Sequence, residues 1–149
     1  MNIQEKIIYF SVDKAFGCLT RPALEYYIFE LQKNAHAILL DLNGMHDLNK
    51  THGYLYVNAI IRKCLKEIKE TNNVEIGRIF SGDELCFIIN DLYSPDIIYK
   101  FKNIFKNYNI GFKFLKTEIK PFENLENITF WLDNMSATLQ QNPSYSNII

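Results

Sequence analysis

The chain has 149 residues, 48% hydrophobic and 14% aromatic, with 16 basic against 17 acidic side chains and a formal net charge of -1. That length suits a single domain, 1–149, with a well-buried core, and the near-neutral balance excludes the basic footprint of a protein that wraps long nucleic acid. Three scattered cysteines, Cys18, Cys64 and Cys86, have no CxxC spacing and point to buried thiols rather than a disulfide framework or a zinc site. No apolar run reaches membrane-spanning length, and MNIQEKIIYFSV lacks a basic flank, a long apolar stretch and a cleavage site, so a soluble cytoplasmic protein without a membrane partner is expected.

The first apolar segment, IIYFSVD, is compatible with a strand or a leading arm. Thr20 and Pro22 then open a helix carrying Leu24, Tyr27, Ile28 and Leu31 at helical spacing. AHAILLDL follows as a strand whose continuous apolar run calls for burial on both faces. From about Met45 to Glu70 apolar residues recur every three or four positions, which predicts a long helix with Gly53 as an irregularity. VEIGRIF and LCFIIN flank a turn at Ser81-Gly82-Asp83-Glu84 and read as a hairpin. Ser94 and Pro95 introduce a further amphipathic helix, NIGFKFLKTEIK alternates as a strand, and a last helix runs from about Asn124 to Gln141. The tail from about residue 142 is expected to be disordered. This order of elements implies an α+β domain, an antiparallel-containing sheet covered by helices.

The chemistry-bearing pattern is acidic. Asp41 closes the first strand, and Asp83 and Glu84 sit at the hairpin turn, so adjacent pairing would bring the carboxylates to one sheet edge. Hard divalent cations take oxygen ligands, and Mg²⁺ in particular is often held by one or two carboxylates together with substrate phosphates. Gly44 and the main chain of Leu42, Asn43 and Met45, at the start of a helix, would suit a polyphosphate. His36, His46 and His52 have no metal-ligand spacing among themselves, and Arg78 in a strand is expected to pair with a carboxylate.

In this arrangement the chain resembles GGDEF domains, nucleotidyl cyclases related to the palm domains of CRISPR polymerases. DKAFGCLTRPAL matches the family's DxLTGLxNRxxL through Asp13, Gly17, Arg21 and Leu24. DLNGMHDLNKTHGYLYVN matches DIDxFKxINDxxGHxxGD through Asp41, Asn49 and Gly53, and SGDEL matches the namesake turn through Gly82, Asp83 and Glu84, with Ser81 and Leu85 replacing Gly and Phe. The resemblance implies a ferredoxin-like palm with a catalytic hairpin. It further implies Asp41, Asp83 and Glu84 as catalytic residues, with Mg²⁺ or Mn²⁺ held by Asp41, the Leu42 main chain, Asp83 and Glu84. Leu42, Asn43, Gly44, Met45, Asn49, Asn58, Ser81 and Gly82 would then line the nucleotide.

Departures narrow the resemblance. Asn58 stands where guanine-specific members carry Asp, and an amide can face the donor and acceptor groups of adenine. Asn72 and Glu75 replace the RxxD of product feedback, and LDNMSATLQ offers Gln140 instead of the cation of ADxALYxAK. A substitute cation would come from Lys116 or Lys120, between which the sequence does not choose. The combination is most similar to the stand-alone minimal CRISPR polymerases. That implies condensation of nucleoside triphosphates, ATP preferred, into a cyclic dinucleotide with release of pyrophosphate, in antiviral defence signalling through a separate effector. Since one small domain supplies one nucleotide site, a homodimer is expected. The alternatives are a diguanylate cyclase using GTP and a degenerate nucleotide-binding module without turnover.

Overall fold

The computed structural model describes residues 1–80, 82–90 and 93–141, so Ser81 and the predicted disordered tail lie outside the described residues. The leading segment is a helix, α1 (Ile3–Ser11), because local capping favours it: Asn2 Oδ1 accepts from the Glu5 amide at 2.8 Å while Glu5 Oε2 accepts from the Asn2 amide at 3.0 Å. Ile3, Ile7, Ile8 and Phe10 of this helix are all exposed.

The helix opened by Thr20 is α2 (Arg21–Leu31), burying Leu24 and Ile28, and the strand after it is β1 (Ala35–Asn43). The expected long helix is divided into α3 (Met45–His52) and α4 (Tyr54–Thr71). Gly53 between them has φ +85° and ψ 155°, a conformation that side-chain-bearing residues rarely adopt, so the chain turns there and restarts. The hairpin strands are β2 (Val74–Arg78) and β3 (Glu84–Ile89). They are followed by α5 (Asp96–Lys106), β4 (Gly111–Ile119) and α6 (Leu125–Gln141). The N-cap of α5 is Pro95 rather than Ser94, although Ser94 Oγ still accepts from the Asp96 amide at 3.4 Å.

Among the described residues the strands form one sheet of order β2-β3-β1-β4, and every pairing is antiparallel. A β-α-β-β-α-β order closing into this arrangement is the ferredoxin-like, α+β palm topology. Helices cover both faces. On one side Ile38, Leu40 and Leu42 of β1 join Leu85 and Phe87 of β3 with residues of α4 and α5 such as Ile61, Cys64, Phe101 and Phe105. On the other side Ala37 and Leu39 join Cys86, Ile88, Leu115 and Ile119 with Leu24 and Ile28 of α2 and Ile128, Leu132 and Leu139 of α6. Because β1 is buried on both faces, it reads as an unbroken apolar run rather than an alternating one. Cys18, Cys64 and Cys86 are free and buried, as the sequence implies.

The loop between α1 and α2 is stitched to the sheet. Leu19 donates its amide to the Ile76 carbonyl at 3.0 Å and accepts from the Arg78 amide at 2.9 Å, extending the outer edge of β2. At Gly77, between those two residues, α2 presses so closely that an added Cβ would lie 2.7 Å from Leu24 Cβ. Gly77→Ala should therefore destabilise the fold by about 1–3 kcal/mol through overpacking, read as a lowered midpoint in denaturant unfolding.

Candidate active site

The alternation of side chains in β1, β3 and β4 determines which groups meet. Asp41 is the Cα partner of Glu84 on one side and of Lys113 on the other. In phase with Leu39, Cys86 and Leu115, all three point to the α2/α6 face. Glu84, Asp41 and Lys113 thus form one row across three strands, with cross-strand spacing that lets neighbours interact.

The row is tied together and roofed by α6. Lys113 Nζ lies 3.8 Å from Asp41 Oδ2, and both side chains are largely buried, 14% and 20% exposed. Gln140 Nε2 donates to the same Asp41 oxygen at 3.3 Å. One turn earlier, Ser136 Oγ donates to Glu84 Oε1 at 2.6 Å, and Ser136 is itself buried. Asp83 sits one residue outside β3, its carbonyl accepting from the Leu42 amide at 3.0 Å.

Burial pushes the Asp83 carboxyl above the usual carboxylate range, with Asp41 adding to the shift and Arg78 opposing it. Glu84 is raised too, first by burial and then by Asp41, while the Ser136 and Gln140 hydrogen bonds and Lys113 pull it down. Asp83, Asp41 and Glu84 are thus close enough for their charges to interact in a partly buried place. The Lys113 ammonium supplies positive charge beside Asp41. Among the described residues no three His, Cys, Asp or Glu side chains are grouped to hold a metal by themselves. The carboxylates of Asp41 and Glu84 and the neighbouring Leu42 carbonyl are hard oxygen donors of the kind that Mg²⁺ or Mn²⁺ takes, too few by themselves to fill its shell.

The acidic turn is held from below by Arg78. Its Nη1 lies 3.1 Å from both carboxylate oxygens of Asp13, its Nε and Nη2 donate to the Gly82 carbonyl at 3.1 and 2.9 Å, and its guanidinium stacks 4.0 Å from the Phe16 ring centroid. Asp13 in turn accepts from the Phe16 amide at 2.9 Å. The Asp13 motif residue is therefore part of the turn's scaffold. Arg21 is a scaffold residue too, bridging Glu25 at 2.9 Å and Asp133 of α6 at 2.7 Å.

On the main-chain side, β1 runs through exposed Asn43 and Gly44 into α3. Gly44 has φ +78°. The side chains of Leu42 and Met45 are buried. The first helix-type bond of α3 is Leu48 amide to Gly44 carbonyl at 3.1 Å, so the amides of Met45, His46 and Asp47 precede it, as at any helix start. Asn49 Oδ1 is closed off from solvent without a donor, and an acceptor left so costs about 1–3 kcal/mol. Asn58 is half-buried on the first turns of α4. At Gly82 a Cβ would meet nothing within 4 Å, so the turn is open there.

Lys113 and Ser136 were not singled out by sequence reasoning. Both carried a signal: Lys113 is in strand phase with buried Leu115 and Ile119, and Ser136 is the polar position in the buried α6 stripe of Ile128, Leu132 and Leu139. The lysines that were considered lie elsewhere. Lys116 has the opposite phase and stacks 4.2 Å from the Tyr93 centroid, and Lys120 lies beyond the end of β4. A cavity of about 600 Å³ opens away from the acids, between the Phe16–Leu19 loop and α4. Its charged rim is paired off, with Lys69 to Glu75 at 2.9 Å and Arg62 to the Ala15 carbonyl at 2.7 Å. Asn72 and Glu75, where the resemblance puts a feedback motif, have structural partners: Asn72 Nδ2 donates to the Ile68 carbonyl at 3.0 Å and Glu75 takes Lys69.

No protein-family model and no curated protein matches the chain. Solved structures do. A microbial GGDEF domain studied with bis-(3′,5′)-cyclic di-GMP superposes with a TM-score of 0.70 at 13% identity, over 94% of this chain and 97% of that one. The diguanylate cyclase SiaD from Pseudomonas aeruginosa, solved with its activator SiaC, gives 0.69 at 11% identity, over 97% of this chain and 64% of that one. The coiled coil and GGDEF domain of DgcB from Caulobacter crescentus, in complex with c-di-GMP, gives 0.65 at 13% identity, over 98% and 90%. The fold is therefore that of a GGDEF domain.

A raised carboxyl binds its proton more tightly in the folded than in the unfolded chain, so its ionisation costs stability as pH rises from the ordinary carboxylate value through the raised one. Glu84→Gln should accordingly melt higher than the wild type at neutral pH, with the difference closing in acid buffer. Thermal melts across that range, without divalent cation, measure it.

Proposed function

We propose that this protein is a divalent-metal-dependent nucleotidyltransferase that joins two nucleoside triphosphates into a cyclic dinucleotide and releases pyrophosphate. The observation that carries the reading is the cross-strand row Glu84-Asp41-Lys113 beside the Asp83 turn, at the point where β1 leads into α3. Two carboxylates opposed across neighbouring strands, next to a helix start and a lysine, suit a polyphosphate with its cation and little else.

When bound, the cation would neutralise charge on the phosphate under attack and acidify the attacking hydroxyl. Asp41 and Glu84 would hold it, with the Leu42 carbonyl. Asp83, whose carboxyl is raised by burial, is suited to take the proton from a ribose hydroxyl as its oxygen bonds to the α-phosphorus and the bond to pyrophosphate breaks. The Met45 to Asp47 amides would take the terminal phosphates. Asn58 would meet the base, its amide favouring adenine over guanine, and Asn49, its Oδ1 closed off from solvent, would line the nucleotide from behind. A symmetric product requires two such sites face to face, hence a homodimer, and the exposed apolar residues of α1 supply surface for one.

The likeness to GGDEF domains of cyclic di-GMP systems supports GTP as the second reading of the substrate. Antiviral signalling through a separate effector goes with the ATP reading. A binding module without turnover is favoured by the capping of Asp41 by Gln140 and Lys113.

Purified protein incubated with ATP or GTP and Mg²⁺ or Mn²⁺ should form a cyclic dinucleotide, identified by mass spectrometry, faster from ATP. GTP as the sole substrate would reverse the base assignment, and binding without consumption would favour the module. Asp41→Asn should lower the rate by about a thousandfold or more, the equivalent of several kcal/mol of transition-state stabilisation, while leaving the circular dichroism spectrum unchanged.

A further inference from the structure

Lys113 is a lysine with an unusual position. It is on the sheet rather than on a surface helix, 14% exposed, and 3.8 Å from the Asp41 oxygen that Gln140 also contacts. Ammonium and amide thus converge on one carboxylate oxygen from two different elements, β4 and α6.

Resting on the reading above, we propose that Lys113 is a two-state ligand: it neutralises Asp41 when the site holds no cation and grips the triphosphate when the site is loaded. With a divalent cation bound, the Asp41 charge that Lys113 balances would be taken up, and the ammonium would be released from it. The lysine stem is flexible and keeps its charge, so its tip would be able to turn to a triphosphate oxygen. Lys113 therefore supplies the positive charge that α6, with Gln140 and Ser136 facing the row, does not. Its place on a strand in register with Asp41 gives it a fixed base from which only the tip moves.

The test is calorimetric binding of a non-hydrolysable triphosphate analogue, carrying whichever base the wild type prefers, in the presence of Mg²⁺. Lys113→Gln should weaken binding by about ten- to a hundredfold, the size of a lost charge-assisted hydrogen bond, whereas Lys113→Arg should stay within about threefold. The exchange variant Lys113→Gln with Gln140→Lys, which moves the cation from β4 to α6 at constant composition, should recover most of the affinity. Both a structural and a two-state lysine lower the melting temperature in Lys113→Gln, so the exchange variant decides: no recovery of binding there overturns the proposal. Wild-type affinity in Lys113→Gln also overturns it and leaves the proposed function standing. A wild type that binds no triphosphate overturns both.

Discussion

The register between β1 and its two neighbours is the constraint on which the site depends. A slip of one residue would send Asp41 to the opposite face and put Leu40 or Leu42 beneath α6. The register is held by the core. Ile38, Leu40 and Leu42 are buried against α4 and α5 while Ala37 and Leu39 are buried against α2 and α6, so neither face tolerates an exchange. The same apolar packing that stabilises the domain thereby aligns Glu84, Asp41 and Lys113 in one row. Three charged side chains at the end of so apolar a sheet are costly unless compensated. Compensation is visible in the lysine, in the two hydrogen-bond donors of α6 and in the half-open position of the row.

Elements distant in sequence keep the turn in place. Arg78 links the Gly82 carbonyl to Asp13, and Leu19 bonds the edge of β2 on either side of Gly77. Arg21 links α2 to α6, the helix that roofs the row. Motif positions such as Asp13, Gly17 and Arg21, which resemble those of GGDEF domains, serve here as architecture around the acids rather than as ligands. Gly17, with φ +73°, has a conformation that a side chain would strain. The charged scaffold is thus spent on fixing a turn, which is how a site gains preorganised carboxylates without relying on a flexible loop.

The positive charge beside Asp41 comes from the sheet. Gln140 of α6 brings an uncharged amide to the carboxylate, and the ammonium that reaches it comes from β4. At 11–13% identity to the GGDEF structures compared above, what is shared is the fold.

Much of the fold was legible in the chain because its signals are local. Helical spacing in α2, α4 and α5, the continuous apolar run of β1 and the glycine-bearing turn after β2 each follow from neighbours within a few residues. So did the acidic pair, since a carboxylate ending a strand and another at a turn are conspicuous in the sequence alone. The leading segment was ambiguous until the Asn2/Glu5 cap favoured a helix, and the break at Gly53 turned one expected helix into two. Which lysine lies beside Asp41 was beyond sequence reading, because Lys113, Lys116 and Lys120 differ only in strand phase and register, and register is decided by packing across chain segments far apart. Sequence by itself determined most of the elements, the α+β class and the acidic residues. Tertiary structure alone decided that Glu84, Asp41 and Lys113 share a row and that Ser136 and Gln140 close over it, because those contacts join strands and a helix separated by up to 99 positions along the chain.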